Sequence, residues 1–146
     1  MLDAAGKLVA VPGGKGNAGA LSIFDALTGK RLRVLARPSG VIAAAAFSAD
    51  GKRVAAFAWS DLTTGAGERY LAEVCVWDLS LNTPTGSWEV PTARAARGAR
   101  IAWHPSGGRL LVANEGVATV REPDWGGVQA TVAAPEGFEF DGAAFA

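Results

Sequence analysis

The chain has 146 residues, of which 49% are hydrophobic, and its 14 basic residues balance its 14 acidic ones. This length and composition can furnish the core of one domain and argue against an intrinsically disordered protein. With no net charge, the chain has no overall field that would draw it to nucleic acid or to a membrane surface.

The cysteine content and the apolar stretches indicate which cellular compartment to expect. The only cysteine, Cys75, lies in an apolar strand pattern, which predicts a buried structural thiol and excludes an internal disulfide. We find no signal-peptide pattern at the N-terminus and no apolar stretch long enough to cross a bilayer. We therefore expect a cytoplasmic protein, and the excess of arginine over lysine together with abundant alanine indicates a bacterial genome.

The first predicted strand covers residues 7–11 and is expected to stop at the turn signal Pro12-Gly13-Gly14. The glycine-rich run that follows lacks the spacing of a phosphate-binding loop and leads into a strand, not a helix. Residues 21–25 form the next strand, which ends in a turn closed by Gly29. Residues 30–36 alternate charged and apolar side chains, as an outer edge strand does.

The next stretch, residues 41–59, carries the pattern that recurs along the chain. It reads as two buried apolar strands around a tight turn that contains Gly51. The same turn recurs without gaps at Gly6 and Gly107. The large residue before each turn also recurs, at intervals of 45, 56 and 42, as Leu2, Phe47, Trp103 and Phe145. A period of this size made of short strands indicates the blades of a β-propeller.

A polar segment, residues 60–70, makes the middle copy longer than the others, and we expect it to project as a mobile loop. The next strand ends in Trp77-Asp78, and residues 21–25 end in the related pair Phe24-Asp25. These segments resemble the third strand of the WD-repeat family, which ends in Trp-Asp. The third copy, residues 117–122, has lost the dipeptide, and the Gly-His pair of that family is absent.

The resemblance covers almost the whole chain and implies an all-β fold, a β-propeller fragment of about three four-stranded antiparallel blades. We expect about twelve strands in one partial propeller domain. Three strands of a first blade occupy residues 1–40, full blades occupy residues 41–98 and 99–141, and residues 142–146 begin another blade. Three blades leave two faces bare, so we expect either a longer propeller or two copies that close a ring.

Candidate residues fall into two groups. Seven repeat positions are expected to be structural: Asp25, Phe47, Gly51, Trp77, Asp78, Trp103 and Gly107. Five others are candidates for partner binding, because arginine and tryptophan dominate recognition surfaces: Trp59, Trp88, Arg94, Arg97 and Arg100. The only histidine, His104, stands where Ser48 stands in the previous copy, which predicts a turn residue. We predict no catalytic residue, no cofactor and no metal site.

The resemblance implies a non-catalytic platform for protein–protein interaction that binds a protein or peptide partner. The alternative is part of an enzymatic propeller of the lactonase- or peptidase-associated type, with an active site in the axial channel. Such a site would need several convergent acids and histidines, and this chain has one histidine. A third interpretation is a sensor or regulatory part of a larger bacterial protein.

Overall fold

The computed structural model describes residues 1–15, 18–81, 83–136, 140, 144 and 145. Within those ranges the chain is built from antiparallel strands, and it contains no helix that could span a bilayer. The strands are β1 (Leu8–Lys15), β2 (Ala18–Asp25), β3 (Arg31–Ser39), β4 (Val41–Phe47), β5 (Arg53–Asp61), β6 (Tyr70–Asp78), β7 (Pro84–Val90), β8 (Arg100–Trp103), β9 (Leu110–Asn114), β10 (Val117–Arg121) and β11 (Val128–Ala133).

These strands form three meanders, which we call the first, middle and third sheets. Their orders are β1-β2-β3, β4-β5-β6-β7 and β8-β9-β10-β11. In the first sheet, an isolated bridge between Leu2 and Val9 stands where the others have an innermost strand. The all-β propeller class predicted from the sequence is confirmed. The strand expected in residues 142–146 lies largely outside the described residues.

The first strand is longer than predicted. β1 does not stop at Pro12 but continues to Lys15, with Pro12 opposite Leu21 and Gly13 opposite Ala20. Proline cannot donate a ladder hydrogen bond, so it is tolerated in an edge strand and not in a central one. β1 is the edge strand of its sheet in the described part of the chain. The turn signal was therefore overridden by pairing with β2.

The polar insertion extends the hairpin of β5 and β6 and projects from the sheet, as predicted. β5 runs to Asp61 and β6 begins at Tyr70, opposite it. Beyond them the Leu62 N–H donates to the Arg69 carbonyl at 2.7 Å, and Thr64 and Gly67 exchange backbone hydrogen bonds of 3.1 and 3.0 Å. Residues 61–69 are all exposed, so the arm does project from the sheet.

The tight turn at Gly51 recurs in all three sheets. The Ser48 N–H donates to the Arg53 carbonyl at 2.9 Å, and the Gly51 N–H donates to the Ser48 carbonyl at 2.9 Å. Gly51 has a φ of 69°, a left-handed conformation that costs glycine little because it has no Cβ. The same hydrogen bonds and a left-handed glycine recur at Asp3 with Gly6 and at His104 with Gly107.

The core has two parts, one on each face of the middle sheet. Alternate residues of β5 and β6 pack against the first sheet: Val54, Ala56, Cys75 and Trp77. The residues between them pack against the third sheet: Ala55, Phe57, Val74 and Val76. All eight are fully buried. Because side chains alternate between the faces of a strand, an apolar run is required wherever both faces are covered.

β4 is less buried than predicted. Only Ala46 is buried, the rest of the strand is half-buried or exposed, and Val41 is 49% exposed. β4 is the inner edge strand of its sheet, so it has a β-ladder partner on one side only. The apolar pattern of residues 41–47 therefore marks a strand that faces the propeller axis, and β5 and β6 are the strands sealed on both faces.

Trp103 links the third sheet to the middle sheet. Its indole Nε1–H donates to the Ala46 carbonyl at 2.9 Å, within the buried interface. The Arg53 guanidinium lies over its ring, 4.6 Å from the centroid. One side chain from β8 is thus held by β4 through a hydrogen bond and by β5 through a cation–π contact.

Trp103→Phe is expected to lower the free energy of unfolding by about 1 to 3 kcal/mol, because it removes the donor to the buried Ala46 carbonyl. The matched control is Trp125→Phe, at a side chain that is 71% exposed, and it should change stability by about 0.5 kcal/mol or less. Urea unfolding followed by circular dichroism measures both. Equal, small effects would show that the Trp103 hydrogen bond does not join the sheets.

Asp25 and Asp78 hold the turns that follow β2 and β6. The Asp25 Oδ1 accepts the Thr28 and Leu27 N–H groups at 2.7 and 2.9 Å. The Asp78 Oδ1 accepts the Ser80 hydroxyl and N–H at 2.5 and 2.8 Å. Hydrogen bonds from Thr28 lower the pKa of Asp25, and those from Ser80 lower the pKa of Asp78.

Asp25→Ala and Asp78→Ala are each expected to lower the melting temperature, whereas Glu68→Ala, at an exposed position of the hairpin arm, should not. Because both folded-state pKa values lie below the ordinary 3.8, the stabilisation is present above that pH and is lost as the pH falls below it. The double variant Asp25→Asn, Asp78→Asn should therefore lose less stability than wild type between about pH 5 and pH 2. Parallel pH profiles would contradict this assignment.

Candidate interaction surface

Several predicted binding residues gather at one end of the middle sheet. β5 and β7 end there and β4 and β6 begin there, so Val41 lies opposite Trp59 and Ala72 lies opposite Val90. The connection from β7 to β8, residues 91–99, crosses the same end. We call this surface, formed by Val41, Trp59, Tyr70 and residues 91–99, the rim.

The rim brings Arg97 and Trp59 together. The Arg97 guanidinium lies 5.9 Å from the centroid of the Trp59 ring. That ring is only 8% exposed and is tilted 59° from the Tyr70 ring, with their centroids 6.2 Å apart. Arg97 and Trp59, with Val41, Ile42 and Ala43, line a depression of about 460 Å³. A cation held on an aromatic face beside exposed apolar carbon can contact both charged and apolar groups of a partner.

Of the other candidates, Arg94 lies in the rim connection without contacting the Arg97–Trp59 pair in the described contacts, Arg100 faces its own loop, and Trp88 lies elsewhere. Arg94 and Arg100 are exposed, and the Arg100 Nη1 donates to the Gly98 and Ala99 carbonyls at 3.0 Å each. Trp88 is half-buried in the interface with the third sheet, where a Cβ on Gly126 would lie 2.4 Å from its ring. The structure therefore places Arg97 and Trp59 in one site and puts Trp88 outside it. Their roles as partner contacts stay predictions.

Glu115 fixes the shape of the rim and was missed at the level of sequence. Its carboxylate accepts the Thr92 hydroxyl at 2.7 Å and the Ala93 and Arg94 N–H groups at 2.9 and 3.1 Å. Glu115 itself has a left-handed backbone, with φ of 51°, in the two-residue turn between β9 and β10. Such turns prefer asparagine, aspartate or glycine, so a glutamate there was the available signal. The left-handed backbone at Glu115 places its side chain where it orders the connection from β7 to β8.

A larger cavity, of about 500 Å³, lies between the middle and third sheets beside the rim. Its walls are mostly apolar and include Val90, Pro91, Val112 and Val117, with Arg121 among them. The Arg121 Nε donates to the Thr119 hydroxyl at 2.8 Å and its Nη1 to the Gly126 carbonyl at 3.0 Å. Burial lowers the pKa of Arg121. The sequence analysis did not identify this arginine.

His104 lies in the turn between β8 and β9, at the opposite end from the rim. Its Nδ1 is 2.7 Å from the Ser106 hydroxyl and accepts the Ser106 N–H at 3.1 Å. The imidazole thus stabilises the turn through hydrogen bonds to Ser106. In the part of the chain that the structure describes, no three His, Cys, Asp or Glu side chains come together closely enough to hold a metal ion.

Meanders packed face to face, with a glycine turn repeated after each inner strand, define the chain as a WD-like β-propeller fold. Among solved structures, it is similar to Hsv2 of Kluyveromyces lactis, with a TM-score of 0.67 and 13% identity over 92% of this chain. It is also similar to the β-propeller domain of Swd1 (Cps50) from Myceliophteria thermophila, with a TM-score of 0.64 and 18% identity over 92% of this chain.

The chain spans less than half of each of these structures, 46% of Hsv2 and 36% of the Swd1 domain. A variant of Hsv2 in which loop 6CD is replaced by a Gly-Ser linker matches equally well, with a TM-score of 0.68 and 15% identity. No protein-family model matches the chain, and no curated protein sequence is significantly similar to it. The likeness is therefore one of fold.

Proposed function

We propose that this chain is a non-catalytic interaction module of the WD-like type, which binds a protein or peptide partner at the rim. The observation that carries the proposal is the Arg97 guanidinium seated on Trp59 beside the exposed Val41. Arginine and tryptophan are enriched among the residues that dominate binding energy, and a partly preformed pair loses less entropy on binding. The similarity to WD-repeat propellers supports protein partners in general.

The proposal assigns no chemistry to the chain and no cofactor. The single histidine is engaged in its own turn, away from both the depression and the cavity. No residue pair at the rim favours the enzymatic alternative over the interaction module. The cytoplasmic location and bacterial origin expected from the sequence belong to this same proposal.

We also propose that the outer faces of the first and third sheets are covered in the working protein, by further blades or by a second copy of this chain. Apolar side chains on the first face are about half exposed: Val11, Leu32 and Val34. On the last strand of the third sheet, Val132 is 59% exposed. Large apolar side chains exposed on the outer face of a sheet indicate a surface that is covered in the working protein.

Rim binding can be tested with peptides selected from a phage-displayed library on the wild-type chain. Arg97→Glu is expected to weaken the selected peptides about tenfold or more, because hot-spot substitutions commonly cost at least that. Arg31→Glu, at an exposed position of the first sheet, makes the same charge change away from the rim and should leave binding unchanged. If no selected peptide depends on Arg97, or if both variants lose binding equally, the rim is not the binding surface.

Coverage of the outer faces is tested by light scattering on the purified 14.9 kDa chain. Closure by a second copy predicts a discrete dimer, and a need for further blades predicts aggregation together with binding of an apolar-surface dye. A stable monomer that binds no such dye would contradict both forms of the proposal.

A further inference from the structure

The cavity between the middle and third sheets exists because one strand of the repeat changes composition between copies. This strand is β2 in the first sheet, β6 in the middle sheet and β10 in the third sheet. The residue just before the acidic end of that strand is Phe24 in the first sheet, Trp77 in the middle sheet and Arg121 in the third. The pairing is equivalent in each case, since these residues lie opposite Val9, Val54 and Leu110.

In the interface between the first and middle sheets, this register is filled. Trp77 and Cys75 are fully buried there. The corresponding pair in the third sheet is Arg121 and Thr119, which lie opposite Leu110 and Val112. Because cross-strand partners share a face and Val112 packs against the middle sheet, Arg121 and Thr119 face the same interface. Arg121 and Thr119 thus stand where the other interface has Trp77 and Cys75, and a cavity of about 500 Å³ remains beside them.

Arg121 keeps unused donors in this cavity. Nε and one N–H of Nη1 are engaged within the third sheet, by Thr119 and Gly126. Among the described residues, no acceptor is bonded to Nη2 and no carboxylate forms an ion pair with the guanidinium. Both N–H groups of Nη2 and one N–H group of Nη1 are thus left to bind an anion. A partly buried cation without a counter-ion makes the cavity complementary to negative charge.

We propose that this cavity binds a small monocarboxylic acid with an apolar body, its carboxylate on Arg121 and its body between the apolar walls of the two sheets. This site adjoins the rim at Pro91, Thr92 and Ala93, but Arg121 lies outside the rim, and the proposal does not depend on the proposed partner binding. The volume falls within the range of small-molecule sites, and the walls are mostly apolar with a few polar groups, as such sites require.

The charges favour a monoanion over a phosphate. Among the described residues that line the cavity, Arg121 is the only cation, and Glu115, also in its wall, contributes a negative charge. A dianionic phosphate would therefore meet one positive and one negative group, whereas a single carboxylate is matched by one guanidinium. The apolar residues Val90, Val112 and Val117 would be poor neighbours for a ligand that is charged at both ends.

The test uses octanoate as the probe on the full 146-residue chain, with octanol and octylamine as matched compounds. Octanoate is expected to bind saturably in the millimolar range or tighter and to shift the methyl resonances of Val90, Val112 and Val117. Octanol should bind at least tenfold more weakly, because it cannot form the charge-assisted pair, and octylamine should not bind. Absence of saturable octanoate binding, or equal binding of octanol, would overturn the proposal.

Two substitutions locate the site. Arg121→Gln removes the charge and should weaken octanoate about tenfold or more, whereas Arg109→Gln, at an exposed arginine of the β8–β9 connection, should have no effect. Arg121→Trp should abolish binding by filling the space, as Trp77 does in the other interface. Octanoate binding that survives both Arg121 substitutions would disprove the assignment. If either variant fails to fold, the wild-type methyl shifts still decide whether the ligand enters the cavity.

Discussion

The structure depends on the burial of both faces of β5 and β6. Successive residues of these strands point into different cores, so Phe57 belongs to the contact with the third sheet and Trp77 to the contact with the first. Each strand therefore needs apolar side chains at every position over most of its length. That requirement makes the middle sheet the spacer that sets the distance and angle between its neighbours. Neither neighbour can shift without opening one of the two cores.

The two interfaces of the middle sheet are not equivalent. The interface with the first sheet is closed by apolar side chains around Trp77, which is fully buried. The interface with the third sheet combines an apolar inner part around Trp103 with an outer part where Arg121 and Thr119 leave space. Glu115 orders the connection that borders this space. The proposed binding cavity thus lies where the repeat departs from its own pattern, as expected if the positions that keep the pattern serve folding.

The sequence predicts the architecture well because the turn chemistry and the two-sided apolar strands both depend on local pattern. Gly51 and its equivalents place the turns, and Asp25 and Asp78 mark where third strands end. The prediction was wrong at Pro12, where pairing with β2 carried the strand past the turn signal, and pairing with β6 likewise carried β5 beyond its predicted end to Asp61. Arg121 and Glu115 could not be identified, since their significance depends on what lies across an interface. Contacts between residues of different sheets cannot be inferred from the spacing of residues along the chain.

Arg53 makes the contact between the middle and third sheets partly polar. Its guanidinium stacks on Trp103, donates to the Gly107 carbonyl and lies 3.7 Å from the Asp124 carboxylate. Water competes for such polar contacts more readily than for closed apolar packing. The contact between the middle and third sheets therefore depends in part on a charged side chain that solvent reaches, whereas the contact between the first and middle sheets is formed by apolar side chains around Trp77.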